Sequence, residues 1–167
     1  MARGMRPLRP GEIDLLRPAF GERIAYGGVR LRLGHGGNAA AVAAFRNGNT
    51  AITLRRSVYF RIHYSDDFSE AGVEAQSLFH HEMAHVWQYA KLGVPRFLAR
   101  YARDLAACRF NVGAMYRYEE GATPFAGARL EAQAQMVGDY CHARLVGDVS
   151  RQTRLARNLR GSGLYGL

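Results

Sequence analysis

A long central helix constrains the fold of this chain more than any other predicted element. Between about Glu74 and Leu92, apolar residues recur at steps of four, three and four, the spacing of one buried helix face. Gly93 and Pro95 then end the helix, because glycine caps helices and proline cannot continue them. The predicted buried face consists of Phe79, Met83, Val86 and Ala90.

Strand patterns precede this helix and helical patterns follow it. The predicted elements are a helix over Gly11–Phe20, strands over Tyr26–Leu33, Ala51–Leu54 and Ser57–His63, and later helices over about Pro95–Arg109 and Ala126–Val146. A sheet first and helices afterwards indicates an α+β fold. We therefore expect a short N-terminal β-sheet, then the central helix, then further helices.

The C-terminal segment differs in composition from the rest of the chain. No linker divides the chain before it, so residues 1–150 are predicted to form a single domain. In residues 151–167, arginine recurs at every third position and Gly161-Ser162-Gly163 follows. This pattern predicts a basic, frayed and flexible C-terminal tail.

The composition excludes several classes of protein. Of the 167 residues, 48% are hydrophobic, which is too many for a disordered chain. The longest apolar run, Ala39–Phe45, is far shorter than the roughly 20 residues of a membrane-spanning helix. Met1–Pro10 alternates Arg with Pro and Gly and does not resemble a secretory leader. We expect a soluble domain that is made in the cytoplasm without a Sec signal peptide and has no membrane span.

A formal net charge of +9 raises the alternative of a nucleic-acid-binding domain. The charge is uneven, because residues 62–95 contain one basic and five acidic residues. No zinc-finger, RNP-like or helix-turn-helix pattern accompanies the arginines. Nucleic acid is therefore not the expected partner.

The two cysteines are too few for a disulfide scaffold or a four-thiolate zinc site. Cys141 falls on the apolar stripe of the predicted helix over residues 126–146, which favours a small buried hydrophobe. Pairing with Cys108 stays open and would require an oxidising compartment.

The central helix contains His81-Glu82-x-x-His85, a spacing that suits a zinc site. Residues four apart project from the same helix face, so the two imidazoles can converge on one Zn²⁺. Glu82 is rotated around the helix, where its carboxylate can take a proton from a metal-bound water. We predict His81 and His85 as ligands and Glu82 as the general base. The alternative is a pair of structural histidines.

A catalytic zinc site needs a third protein ligand. Gln88 and Lys91 stand where the long metzincin motif requires Gly and His, so the ligand must come from elsewhere. We predict Glu131, because its helix carries a polar stripe beside the apolar one, and a solvated helix face is the alternative. The polar stripe consists of Glu131, Gln135, Gly138 and His142, and the weaker ligand candidates are Asp139, His142, Glu119 and Glu120.

Hydrolysis also needs a hydrogen-bond donor for the developing oxyanion. Tyr116, Arg117 and Tyr118 precede the last predicted helix and Tyr140 lies on it; of these we name Tyr118. The strand over Ser57–His63, just before the central helix, could bind an extended peptide if it lies at an edge of the sheet.

Three segments together carry a family resemblance. They are Leu78-Phe79-His80-His81-Glu82-Met83-Ala84-His85-Val86-Trp87-Gln88; Arg6-Pro7-Leu8-Arg9-Pro10-Gly11-Glu12-Ile13 with Phe20-Gly21; and Tyr116-x-Tyr118 with Phe125, Glu131-Ala132-Gln133-Ala134 and Asp139-Tyr140. These segments resemble small bacterial zincin-like (HExxH) proteins related to Vgr and Rhs proteins. That group is linked to type VI secretion and polymorphic toxin systems.

The resemblance implies a minimal zincin-like domain of the Glu type, in which His81, His85 and Glu131 hold Zn²⁺ and Glu82 is the general base. The chain departs from better-known Glu zincins at Gln135, where those proteins often place an Asp that supports a ligating His. We expect Gln135, together with His142 and Asp139, to orient the ligands by hydrogen bonding. The resemblance also implies export by a contact-dependent secretion system, with a secretion-spike protein or an immunity protein as partner.

The leading predicted function is that of a gluzincin-like zinc metallopeptidase, a hydrolase of peptide or protein substrates that acts as a secreted bacterial effector or toxin. One alternative is a non-catalytic, zinc-stabilised adaptor of a secretion spike. A second alternative is an amidase or endopeptidase of cell-wall peptides. Glu82 argues against the adaptor, because a structural zinc site does not require a carboxylate at that position.

Overall fold

Seven α-helices and a four-stranded sheet make up the regular structure in the computed structural model, which describes residues 4–167. The predicted α+β class is confirmed. The strands are β1 Arg6–Pro7, β2 Arg30–Leu33, β3 Ala51–Leu54 and β4 Ser57–Phe60. The helices are α1 Pro10–Phe20, α2 Ala39–Arg46, α3 Val73–Leu92, α4 Val94–Ala107, α5 Val112–Met115, α6 Leu130–Leu145 and α7 Val149–Leu159. None of these helices is long and apolar enough to cross a membrane.

The sheet places β3 at an edge and β4 in the interior. Its strand order is β1-β2-β4-β3, with β2 parallel to β4 and the other pairs antiparallel. The strand expected over Ser57–His63 therefore ends at Phe60 and has partners on both sides. The condition for peptide binding at this strand is therefore not met, because β4 is an interior strand and β3 occupies the edge.

Helices α3 and α6 pack against each other at a glycine. A Cβ atom at Gly138 would lie 3.0 Å from the Ser77 carbonyl oxygen and 3.3 Å from His81 Cβ. The Ser77 hydroxyl donates a hydrogen bond of 2.9 Å to the Gly138 carbonyl, which fixes the two helices in this register. The missing side chain at Gly138 permits this close approach of the two helices.

Replacing Gly138 with alanine is expected to destabilise the protein by about 1–3 kcal/mol, because the added methyl group meets backbone rather than a flexible side chain. Denaturant unfolding would measure the loss. Gly127→Ala is the matched control, since a Cβ at Gly127 meets nothing within 4 Å. Equal stability of the two variants would contradict a tight helix contact at Gly138.

The C-terminal segment is helical and packed, in contrast to the expected flexible tail. Leu155 and Leu159 on α7 are fully buried. Asn158 accepts a hydrogen bond from the Gly121 amide and donates to the carbonyl oxygens of Glu119 and Thr123. Leu155 and Leu159 are four residues apart and therefore share one helix face, which packs α7 against α6.

Both cysteines are buried free thiols. Cys141 lies in the interior, as its place on the apolar stripe predicts. Its sulfur is 3.2 Å from His80 Nδ1, on the side of α3 that faces Phe20. His80 therefore belongs to the core and not to the site formed by His81 and His85.

Candidate metal centre

Three side chains from two helices meet in one buried cluster. His81 and His85 lie one turn apart on α3, and Glu131 lies in the first turn of α6. Glu131 Oε2 is 3.4 Å from His81 Nε2 and 3.1 Å from His85 Nε2. The candidate ligand atoms all lie within 4.8 Å of one another. The structure therefore brings together the three residues that the sequence singles out as ligands.

The two distances from Glu131 Oε2 to the imidazole nitrogens fit edges of a zinc coordination tetrahedron. Ligand atoms about 2.0–2.1 Å from a tetrahedral Zn²⁺ are separated from each other by about 3.3 Å. Two nitrogens and one carboxylate oxygen are also a donor set that Zn²⁺ accepts at catalytic sites, with a fourth position left for water or substrate. The residues present therefore fit a zinc ion by both spacing and chemistry.

Gln88 orients one of the candidate ligands. Its side-chain nitrogen donates to the Leu130 carbonyl and to Gln133 Oε1, which turns its oxygen towards His85. That oxygen accepts a hydrogen bond of 2.8 Å from His85 Nδ1. A proton on Nδ1 leaves Nε2 to face Glu131, which is the arrangement that a metal ligand requires.

The start of α6 is fixed from the neighbouring helix α4. The buried Asp104 side chain accepts a hydrogen bond of 3.0 Å from the Leu130 amide. An acceptor at this point satisfies a helix-terminal N–H group that has no partner within its own helix. Glu131 follows directly, so its carboxylate enters the cluster from an anchored backbone.

The cluster strongly perturbs the ionisation of its members. Burial lowers the pKa of His85, but the Glu131 carboxylate outweighs burial and raises it to about 9. Burial raises the pKa of Glu131, whereas the two imidazoles together hold it well below its usual range. Without a metal, His85 therefore keeps its second ring proton at neutral pH. A metal ion that binds to His85 must displace that proton.

Glu82 lies beside the cluster and is held by the edge strand. Its Oε2 atom accepts a hydrogen bond of 2.7 Å from the Thr53 hydroxyl, which also contacts the Glu82 carbonyl at 3.1 Å. The cleft over the cluster is lined by Glu82, His81 and residues of β3. A carboxylate fixed in this way can accept a proton from a water that reacts in the cleft.

Tyr116, rather than Tyr118, faces the cluster. The Tyr116 ring stacks on His81 with centroids 5.8 Å apart, and Tyr116 and Tyr101 both line the cleft. Burial and the nearby Glu131 carboxylate raise the pKa of Tyr101 to about 12 and that of Tyr116 further. Both hydroxyls therefore stay protonated and able to donate at neutral pH.

The other residues predicted to surround the ligands form separate contacts. Tyr118 donates a hydrogen bond of 2.6 Å to Asp139, which also accepts one from Gln135. His142 Nε2 lies 3.4 Å from an oxygen of Glu74. Gln135 lines the cleft, whereas Gln88 is hydrogen-bonded to His85.

Sequence reasoning missed Thr53 and Gln88, for different reasons. Gln88 lies three residues after His85, so helical spacing alone places the two side chains side by side. Thr53 is 29 residues away from Glu82, and only the packing of β3 against α3 joins them. The contact between His85 and Gln88 can therefore be predicted from the sequence, whereas the contact between Thr53 and Glu82 cannot.

Comparisons with known proteins relate this chain to a family. The sequence model of the eCIS core domain matches residues 7–93. The type VI secretion system spike protein VgrG2b of Pseudomonas aeruginosa is 31% identical over 160 residues, which are 93% of this chain and 15% of that protein. The chain thus corresponds to a small part of that curated relative.

The solved effector domain of Pseudomonas aeruginosa VgrG2b has the same fold. It superimposes with a TM-score of 0.67 at 28% sequence identity, and the match covers 96% of this chain and 85% of that one. The relation to Vgr proteins of type VI secretion that the sequence resemblance implies is confirmed. Since the family match covers just over half of the sequence, the chain belongs to the eCIS core domain family.

Proposed function

We propose that this chain is a zinc-dependent hydrolase of peptide bonds that serves as a secreted bacterial effector. The observation that carries the proposal is the buried cluster of His81, His85 and Glu131, with the carboxylate of Glu82 in the same cleft. Two imidazoles and a carboxylate form the ligand set of a catalytic zinc, and the fourth coordination position of such a site is left for water or substrate. Likeness to an effector domain supports the assignment as an effector.

Three residues of the cleft, Glu82, Thr53 and Tyr116, have defined tasks in this mechanism. A bound Zn²⁺ would supply the Lewis acid that polarises the scissile carbonyl and acidifies water. Thr53 holds Glu82 Oε2, so the second carboxylate oxygen is the atom that we expect to take the proton from the attacking water. The same carboxylate then returns that proton to the leaving amine. We assign Tyr116, whose ring stacks on His81 in the cleft, as the donor to the oxyanion, in place of Tyr118.

The likeness to the VgrG2b effector domain also supports a proposal about how this chain is exported. VgrG2b is a spike protein of the type VI secretion system, and this chain matches its effector domain. We therefore propose that a contact-dependent secretion system exports this chain together with a spike protein, and that an immunity protein protects the producing cell.

Loss of metal is the experiment that tests the proposal first. We expect about one zinc per chain in the purified wild-type protein and background zinc in His85→Ala, because that variant loses a ligand of the cluster. Elemental analysis after gel filtration would measure both. His35→Ala is the matched control, since this exposed loop histidine lies outside the cluster and should leave the zinc in place.

Absence of zinc from the wild-type protein, even after reconstitution, would contradict the proposal. Zinc that is bound equally by His85→Ala would locate the metal elsewhere. The adaptor alternative predicts zinc but no hydrolysis, and it is separated from the peptidase by the Glu82 variant discussed below.

A further inference from the structure

The cleft differs sharply on the two sides of the metal cluster. On one side is a cavity of about 190 Å³, which we call the apolar half. On the other side is a cavity of about 250 Å³, the polar half. His81, Glu82 and Tyr116 line both halves, so the reacting bond would lie between them.

Aromatic and aliphatic side chains form the walls of the apolar half. They are Ile52, Leu54, Tyr89, Phe97, Leu98 and Tyr101. The Phe97 ring stacks on Tyr89 with centroids 3.7 Å apart and on Tyr101 at 6.2 Å, so the floor of this half is a stack of three rings. Leu98 stands at its wall with 53% of its surface exposed. A ligand that covers this exposed leucine would remove its apolar surface from water, which favours binding.

Polar side chains line most of the other half. They include Thr50, His63, Glu74, Ser77 and Gln135. The carboxylate of Glu74 is largely exposed and lies 3.4 Å from His142. This half offers hydrogen bonds and charge, and it lacks an aromatic floor among the residues that the structure describes.

The apolar half has the size of a site for one large side chain. An apolar protein cavity of about 150 Å³ is large enough to hold a benzene molecule. The apolar half is of this order and opens directly beside Glu82. A leucine or phenylalanine side chain next to the scissile bond would fill it, whereas alanine would leave the aromatic floor uncovered.

Resting on the proposed peptidase function, we propose that the apolar half selects a large apolar side chain on one side of the scissile bond. The substrate class is therefore polypeptide, because the stem peptides of bacterial cell walls carry mainly small or charged side chains. Such peptides would bury little of the surface formed by Phe97, Leu98 and Tyr101. This choice decides between the protein and the wall substrates that the sequence leaves open.

The expected selectivity is large enough to measure. One methylene in an apolar enzyme pocket changes kcat/KM by about 10- to 200-fold. Substrates with Leu or Phe at the selected position should therefore exceed the matching Ala substrates by at least about tenfold. The preference should occur on one side of the cleaved bond only, because the polar half has no comparable wall.

A cleavage profile of the zinc-loaded full chain tests this inference. The probes are a peptide library made from digested cellular proteins and a synthetic cross-linked wall stem peptide, with products identified by mass spectrometry. Leu98→Asp places a charge at the wall of the apolar half and should reduce the preference for Leu and Phe at least about tenfold. Ala99→Asp adds the same charge to an exposed position one residue further along α4 and should keep the wild-type profile.

The outcomes separate the substrate inference from the proposed function. A one-sided preference for large apolar residues that Leu98→Asp weakens and Ala99→Asp keeps would support the inference. Cleavage without such a preference, a profile that Leu98→Asp does not change, or faster cleavage of the wall peptide would overturn it while leaving the peptidase intact. Failure of the zinc-loaded protein to cleave any probe would contradict the proposed function and the inference with it.

Discussion

Replacing Glu82 with glutamine is expected to lower peptide hydrolysis by about 10²- to 10⁴-fold while zinc content stays unchanged. Glutamine has nearly the same shape, and its side-chain oxygen can still accept the Thr53 hydrogen bond. The glutamine side chain cannot take up a proton from water. A lower rate of hydrolysis would therefore report lost proton transfer and not a change in folding or in metal binding. The ligands His81, His85 and Glu131 are untouched by this change.

Initial rates on a cleaved library peptide, measured together with zinc content, would check this result. Glu22→Gln is the matched control, because Glu22 is a largely exposed carboxylate that pairs with Arg17 on the surface. Its activity should equal that of the wild type. A loss of less than about tenfold in Glu82→Gln would exclude Glu82 as the general base. If the protein is a non-catalytic adaptor, the wild-type protein itself would not hydrolyse the peptide.

Helices were the most predictable part of the fold. The predicted helix over Glu74–Leu92 corresponds to α3, Val73–Leu92, because its apolar stripe and its glycine stop are strong local signals. The segment over Ala39–Arg46 gave no such signal, since a run of alanines shows no contrast between faces, and it forms α2. Strand β1 has only two residues and exists through its pairing with β2, which no local pattern reveals.

In the candidate site, too, the sequence predicts contacts within one helix better than contacts between distant segments. His81, Glu82 and His85 are set by helical spacing, and the structure brings Glu131 to them through the packing of α3 on α6. Their roles as ligands and base remain predictions for the zinc and Glu82 experiments. The choice between Tyr116 and Tyr118 could not be made from the sequence, because both precede α6 and only the tertiary fold turns one ring onto His81.

Removing the carboxylate of Glu12 is expected to cost about 3–5 kcal/mol of unfolding free energy. Glu12 is fully buried, and its two oxygens contact the Arg6 guanidinium at 2.7 and 2.8 Å. The same oxygens accept hydrogen bonds from the backbone amides of Arg9 and Phe68. Glu12→Ala would leave a partly buried cation and two amide groups without their acceptor, which is why the expected loss is large.

This carboxylate links the N-terminal segment to Phe68, which supports α3. Phe68, whose amide it binds, is fully buried and stacks on Phe79 of α3 with ring centroids 4.3 Å apart. Denaturant unfolding of Glu12→Ala would measure the loss, with Asp14→Ala as control on the same helix, because the Asp14 side chain is 72% exposed. The control should lie within about 0.5 kcal/mol of the wild type. Equal stability of the two variants would show that the buried pair contributes no more to stability than a surface charge.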